Sequence, residues 1–203
     1  GIYSKADGIH LRVIARARDS QAAQGLIVPV EQAIHERLGE YIWGYDDDTP
    51  SQSAGRSLIE KGLSVAVIEM CTGGALTNSI TDVPESINYF KGGTVAYDEA
   101  ALQTYGVPAD VMNQYGVVSQ QSANAMADTV RRNLNADLGV AITGVPGPGE
   151  FEGKPLGLAY ICVTNGEQTR EMEMRLPPRR VTIKRRVPNQ ALIELRRLID
   201  ITG

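Results

Sequence analysis

Two stretches of the chain combine an apolar run with a glycine-rich turn that would bind an anion. Ser64 to Ile68 is apolar enough for a buried strand, and it leads into Thr72-Gly73-Gly74 and a helical segment. A strand ending in such a turn at a helix start exposes backbone N–H groups, which with the helix dipole favour phosphate or carboxylate. A tight connection whose glycines serve packing alone explains the same spacing equally well.

The second stretch repeats this pattern, because the apolar run Leu138 to Ile142 ends in Thr143-Gly144. Ligands of open α/β sheets bind beyond the carboxyl ends of the strands, so neighbouring strands would bring both turns to one pocket. We therefore predict a polar ligand surrounded by Thr72, Gly73, Gly74, Thr143 and Gly144. The basic residues between 179 and 186 would add phosphate-binding charge, although for most of them we expect a solvated helix face.

The composition excludes several classes of protein. The 203 residues are 42% hydrophobic with a net charge of −4, which argues against a surface built broadly for nucleic acid or anionic membrane. Two distant cysteines and two histidines give no metal spacing and no disulfide framework, and no cofactor is predicted. Without a bilayer-length apolar run or a signal peptide, we expect a cytoplasmic protein. The chain begins with Gly1 rather than Met, as a piece of a longer protein would.

Residues 1–48 and 49–203 are predicted to be separate domains. The first is a small α+β unit with a strand over 9–17, a helix that Pro29 should kink or restart, and a second strand over Tyr41 to Trp43. The acidic triplet after Tyr45 is interpreted as a solvated linker rather than a metal site, and Thr49 as the cap of a helix starting at Pro50. Beyond it, strands alternate with helices, and a terminal helix begins near Asn189. This alternation predicts an α/β sheet covered on both faces.

Six motifs follow one another in the larger part of the chain: Glu69-Met-Cys-Thr-Gly-Gly74, Tyr89-Phe-Lys-Gly-Gly-Thr-Val-Ala-Tyr97, Gly106-Val-Pro108, Gly116-Val-Val-Ser119, Thr143-Gly-Val-Pro-Gly-Pro148 and Lys154-Pro-Leu-Gly157. Together they resemble the CinA family of competence/damage-inducible proteins, whose C-terminal domain includes nicotinamide mononucleotide deamidases. The likeness covers about residues 50–203. It implies a three-layer α/β/α sandwich preceded by a KH-type domain. That domain lacks a Gly-x-x-Gly clamp here, so nucleic-acid binding is not predicted. The molybdopterin-binding-like domain that precedes it in full-length relatives is not among these residues.

The resemblance also implies a reaction, in which water replaces the amide nitrogen of nicotinamide mononucleotide and ammonia is released. The family motif Glu-Ser-Cys-Thr-Gly-Gly supplies a serine nucleophile, and a lysine in a Tyr-Ser-Asn-Glu-Ala-Lys stretch activates it. Here Met70 stands at the serine position and Leu102 at the lysine position, and of the second stretch only Tyr97 remains. Neither a thioether nor an isobutyl group exchanges a proton, so nucleophile and base are lost together.

Two other residues are candidates to replace them. Cys71 follows Met70 directly, but one step along a strand turns its side chain to the other face. Lys91 precedes Tyr97 by about 20 Å of extended chain. Neither is an attractive substitute. The ligand-binding positions match the family better, because Thr72, Gly73, Gly74, Tyr97, Thr143, Gly144 and Arg180 all stand where the resemblance expects them.

Three functional hypotheses remain open from the sequence. The leading one is a degenerate deamidase that binds a pyridine mononucleotide without hydrolysing it. The second is an active amidohydrolase that uses Tyr97, Cys71 or a metal-bound water. The third is a structural or oligomerising domain. The resemblance alone implies self-association, at least as a dimer.

Overall fold

The computed structural model describes residues 1–202, and its strands and helices alternate along most of this range. The strands are β1 (Ile2–Ser4), β2 (Ile9–Leu11), β3 (Val65–Glu69), β4 (Phe90–Val95), β5 (Leu138–Gly144), β6 (Leu158–Thr164) and β7 (Thr169–Arg175). The helices are α1 (Ser20–Leu38), α2 (Pro50–Lys61), α3 (Ala75–Thr81), α4 (Glu99–Tyr105), α5 (Ala109–Tyr115), α6 (Gln120–Asn133) and α7 (Arg180–Ile201). Short 3₁₀ turns cover Gly39–Tyr41 and Pro84–Asn88.

Five strands form one mixed sheet in the order β4-β3-β5-β6-β7. β3 lies at the centre of a parallel trio with β4 and β5, while β6 and β7 run antiparallel. Every residue of β3 and of β5 is buried, as expected for strands covered on both faces. Glu69 at the end of β3 is level with Val95 of β4 and Ile142 of β5, so the two Thr-Gly turns are neighbours as predicted.

Helices cover both faces of this sheet and divide the core into two apolar clusters. Side chains of α2, α3 and α7 pack with Val65 and Val67 of β3 on one face. Those of α4, α5 and α6 pack with Ala66 and Ile68 on the other. Successive residues of a strand point to opposite faces, so β3 feeds both clusters. The predicted three-layer α/β/α sandwich is confirmed.

The first 48 residues contain the β1–β2 hairpin, then α1 and a 3₁₀ turn. Two strand predictions for these residues are wrong, and the helix does not restart at Pro29. The strand predicted over 9–17 ends at Leu11, because residues 12–17 extend past the last pair of the β1–β2 register. α1 continues through Pro29 as one helix. The predicted strand Tyr41 to Trp43 does not form; instead Arg196 binds the carbonyl oxygen of Ile42 at 2.6 Å.

The start of α2 agrees with its sequence prediction. Thr49 caps the helix by accepting from the backbone N–H of Gln52, whose side chain accepts from the Thr49 N–H in return, and Pro50 occupies the first turn. Asp48 of the acidic triplet receives two hydrogen bonds from Arg56, at 2.7 and 2.9 Å. This hydrogen bonding holds the pKa of the Asp48 carboxyl below its usual value.

Two structural features are absent from the described part of the chain. No helix within residues 1–202 has both the length and the apolarity needed to cross a membrane. In the same range, no three His, Cys, Asp or Glu side chains are grouped so that they could hold a metal ion.

Candidate functional site

Ligands of open α/β sheets bind beyond the carboxyl ends of the strands, so the candidate crevice is the sheet edge where β3, β4 and β5 end. The chain leaves β3 toward α3 on one face of the sheet and leaves β4 toward α4 on the other. We define the crevice by the turn Met70 to Gly74, by Tyr97, by Thr143 and Gly144, and by Arg180 at the start of α7. Arg180 joins this edge because its guanidinium reaches Tyr97.

The start of α3 is already occupied by an anion of the chain itself. The Glu69 carboxylate is fully buried and accepts from the backbone N–H groups of Leu76 at 2.9 Å and Thr77 at 2.7 Å. The hydroxyls of Thr72 and Thr77 donate to the same carboxylate at 2.6 and 2.8 Å. The N–H groups predicted to bind a ligand's anion are therefore bound to Glu69, and the Thr72 hydroxyl faces inward.

Two glycines give this turn its shape. Gly73 and Gly74 have φ values of +62° and +90°, a left-handed conformation that side chains disfavour. A Cβ on Gly73 would lie 3.6 Å from Nζ of Lys184, and one on Gly74 would lie 3.5 Å from a methyl of Val95. The turn therefore presents bare backbone toward the ammonium group of α7.

The second predicted turn contributes packing to the crevice. The fully buried Thr143 hydroxyl lies 3.0 Å from the carbonyl oxygen of Val117 and 3.2 Å from Sδ of Met70. Gly144 lies so close to β6 that a Cβ there would approach the Leu158 carbonyl oxygen to 2.7 Å. The hydroxyl of Thr143, like that of Thr72, is used within the fold.

The positions that resemble nucleophile and base are both apolar and buried. Met70 is 8% exposed and Leu102 is 0% exposed, and both belong to the apolar cluster that α4, α5 and α6 form with the sheet. They lie on the same face of the sheet, as a nucleophile and its base must. Neither side chain can exchange a proton.

The two candidate replacements lie elsewhere. Cys71 is buried in the cluster on the opposite face, as its position along the strand predicted. Burial raises the pKa of its thiol to about 12, although the charges of Arg180 and Lys184 act in the other direction. Lys91 lies at the other end of β4, near Asp137, whose carboxyl pKa it helps to lower.

We expect both thiols to be unreactive in the folded protein. Burial raises the pKa of Cys71 and of Cys162 to about 12, so at pH 8 roughly one thiol in ten thousand is ionised. Ellman's reagent at pH 8 should therefore detect almost no thiol in the native chain and both thiols after denaturation in guanidinium chloride. A thiol that reacts rapidly in the native protein, and disappears in Cys71→Ala, would contradict this burial.

Two cationic side chains of α7, Arg180 and Lys184, lie beside the crevice, and we call them its cationic mouth. Arg180 donates to the hydroxyl of Tyr97 at 2.7 Å and to the carbonyl oxygen of Gly147 at 2.9 Å. Tyr97 is half exposed, and Lys184 lies one helical turn beyond Arg180. Of the predicted site residues, Tyr97 and Arg180 are in direct contact and Gly73 faces Lys184 of the same helix, while the Thr72 and Thr143 hydroxyls are bound within the fold.

Sequence reasoning underestimated Lys184, which it grouped with a solvated face. The signal was its spacing of four residues from Arg180, which puts both side chains on one side of a helix. The prediction that the last helix begins near Asn189 hid this signal. α7 begins at Arg180 and continues through the buried Pro188.

Comparison with known proteins identifies relatives for both parts of the chain. Residues 47–199 match the CinA C-terminal domain, and residues 1–44 match the damage-inducible protein CinA KH domain. A putative competence-damage inducible protein of Desulforudis audaxviator is 40% identical over 194 residues, which are 95% of this chain and 47% of that protein. Its counterpart in Moorella thermoacetica is 43% identical over 162 residues, 79% of this chain and 39% of that one. The chain thus spans less than half the length of these relatives.

Solved structures share the fold of the larger part. The competence/damage inducible protein CihA of Agrobacterium tumefaciens superposes with a TM-score of 0.66 at 28% identity, covering 75% of this chain and 97% of that one. The competence damage-inducible protein A (ComA) of Klebsiella pneumoniae superposes with a TM-score of 0.72 at 22% identity, covering 77% and 100%. The second likeness concerns the fold alone.

Proposed function

The chain belongs to the CinA family, and from that premise we propose that its crevice binds a pyridine mononucleotide without hydrolysing the amide. The observation that carries the proposal is the chemistry of two side chains, Met70 directly after β3 and Leu102 on α4. An amidase of this kind needs a hydroxyl or thiol and a base to deprotonate it. Met70 and Leu102 supply neither, and both are packed in the core.

The remaining groups at the crevice do not replace them. The Cys71 thiol is buried on the other face, with its pKa raised to about 12. The Tyr97 hydroxyl has a guanidinium beside it, and an arginine cannot accept its proton. The buried Thr143 hydroxyl lies against a carbonyl oxygen and a thioether, which are both poor bases.

The binding half of the proposal is supported by charge and shape. Lys184 extends from α7 to the Gly73–Gly74 turn, where the backbone carries no side chain to block an approaching group, and Arg180 extends to Tyr97 and Gly147. Tyr97 adds a half-exposed ring and hydroxyl at the same mouth. A pyridine mononucleotide has a phosphate that could bind the two cations and an aromatic base that could pack against the Tyr97 ring.

The test measures binding and turnover on the same preparation. Nicotinamide mononucleotide should raise the midpoint temperature of thermal unfolding, and the rise should grow with ligand concentration. At 100 times the dissociation constant, the ligand should add about 2.7 kcal/mol to the free energy of unfolding. Ammonia, followed by a glutamate-dehydrogenase-coupled assay, should not accumulate above the rate without protein. Added ammonium chloride serves as the positive control of the assay.

Each half of the proposal can fail separately. Turnover of even ~1 s⁻¹, which is within the ordinary range of enzymes, would exclude a degenerate site. A thermal midpoint that does not move up to millimolar ligand would exclude mononucleotide binding. Arg180→Met is expected to weaken the shift, because it removes a cation from the mouth, whereas Arg175→Met on β7 should leave the shift unchanged.

A further inference from the structure

The segment from Arg179 to Arg186 carries an unbalanced positive charge. It holds five basic residues, and the sequence has no acidic residue between Glu173 and Glu194, although the whole chain has a net charge of −4. Within residues 1–202, none of these five side chains lies within 4.0 Å of a carboxylate oxygen, while nine ion pairs form elsewhere. Such a charged stretch without counterions on the chain would attract an anion from solution.

The position of these charges in α7 is electrostatically unfavourable. Arg179 and Arg180 lie at its N-terminal end, where the helix dipole favours negative charge and disfavours positive charge. The first turn contains no acidic residue, and no side chain caps it. Arg180 and Lys184 are four residues apart, a spacing at which like charges repel. A bound anion would relieve both effects.

Two of the five residues reach the sheet edge where β3 and β4 end. Arg180 crosses the crevice mouth to Tyr97 and Gly147, both of which offer only neutral acceptors. Nζ of Lys184 lies 3.6 Å from the position of a Cβ on Gly73. Arg185, in contrast, is exposed and lies about 100° around the helix from Lys184.

We propose that Lys184 and Arg180 together bind the phosphate monoester of the ligand, and that Lys184 makes the site specific for phosphorylated ligands. This inference rests on the proposed function, because it assigns the phosphate of the mononucleotide to these two residues. The planar fork of Arg180 would bind two phosphate oxygens, and the Lys184 ammonium would supply a point charge over the bare turn. A phosphate monoester carries a charge of about −1.5 to −2 at pH 7, which matches the two cations.

The experiment compares three ligands and three variants by isothermal titration calorimetry at one low salt concentration. The ligands are nicotinamide mononucleotide, nicotinamide riboside and inorganic phosphate. The variants are Lys184→Met, the charge-preserving Lys184→Arg and the neighbouring control Arg185→Met. Lys184→Met should weaken mononucleotide binding about tenfold or more, Lys184→Arg should restore most of it, and Arg185→Met should change it less than about twofold.

The other ligands separate this inference from the proposed function. Riboside binding should be weak and equal in all variants, and inorganic phosphate should bind the parent chain but not Lys184→Met. Equal loss in Lys184→Met and Arg185→Met, or unchanged mononucleotide binding in Lys184→Met, would overturn the role of Lys184. If phosphate binds through Lys184 but the mononucleotide adds nothing over phosphate, the phosphate site stands and the proposed ligand is wrong.

Discussion

Replacing Glu69 by alanine is expected to lower the free energy of unfolding by about 4 kcal/mol or more. The side chain is fully buried and accepts four hydrogen bonds, two from backbone N–H groups and two from threonine hydroxyls. Hydrogen bonds to a charged group contribute about 1.5–3 kcal/mol each, and leaving buried donors unpaired adds the cost of their desolvation. The loss would be concentrated at the junction of β3 and α3.

Urea unfolding followed by circular dichroism measures this change. Glu69→Gln should lose less stability than Glu69→Ala, because its amide keeps one acceptor oxygen in place. Glu60→Ala is the matched control: its carboxylate is exposed on α2, and surface changes of this kind usually alter stability by less than about 0.5 kcal/mol. A loss below about 1 kcal/mol in Glu69→Ala would mean that this carboxylate does not hold the turn.

The sheet was the part of the structure that hydrophobic pattern predicted well. β3 and β5 are built on the apolar runs Val65–Ile68 and Leu138–Ile142, and such runs are typical of central strands buried on both faces. Because both end near a Thr-Gly pair, their adjacency at one edge was also predictable.

The partner of the backbone N–H groups at the start of α3 was harder to predict, because it depends on which face of the sheet α3 covers. Glu69 shares the face of Val65 and Val67 by strand parity, and α3 lies on that face. With α3 unplaced, the Gly73–Gly74 turn looked like an open anion site. The Glu69 carboxylate accepts hydrogen bonds from the N–H groups at the start of α3. We therefore expect a ligand's anion to bind the side chains of α7 instead.

The start of α7 was missed for a different reason. Proline is disfavoured inside helices, and the predicted start near Asn189 falls directly after Pro188. In the folded chain Pro188 is buried within α7, and packing of the two preceding turns against the core outweighs its lost hydrogen bond. Those two turns carry Arg180 and Lys184. Because the helix start was predicted too late, the sequence did not show that these two cations lie on one helix beside the crevice.

The double substitution Met70→Ser with Leu102→Lys is expected to create amidase activity, raising ammonia release from nicotinamide mononucleotide about 10³-fold or more over the parent chain. Both positions belong to one apolar cluster on one face of the sheet, so the new hydroxyl and amine would share a dry environment. Burial lowers the pKa of a lysine, so the introduced amine would be neutral often enough to take the serine proton. The double variant should also be less stable than the parent, because Leu102 is fully buried and an amine in its place is desolvated.

Single variants decide whether the two groups act as a unit. Met70→Ser alone has a hydroxyl without a base, and Leu102→Lys alone has a base without a nucleophile, so each should stay within about tenfold of the parent rate. Met70→Ser with Leu102→Met keeps an unbranched apolar side chain and controls for repacking of the cluster. Circular dichroism confirms that each variant is folded before ammonia is measured. A folded double variant no faster than this control would mean that the loss of the serine and the lysine is not what separates this crevice from an amidase.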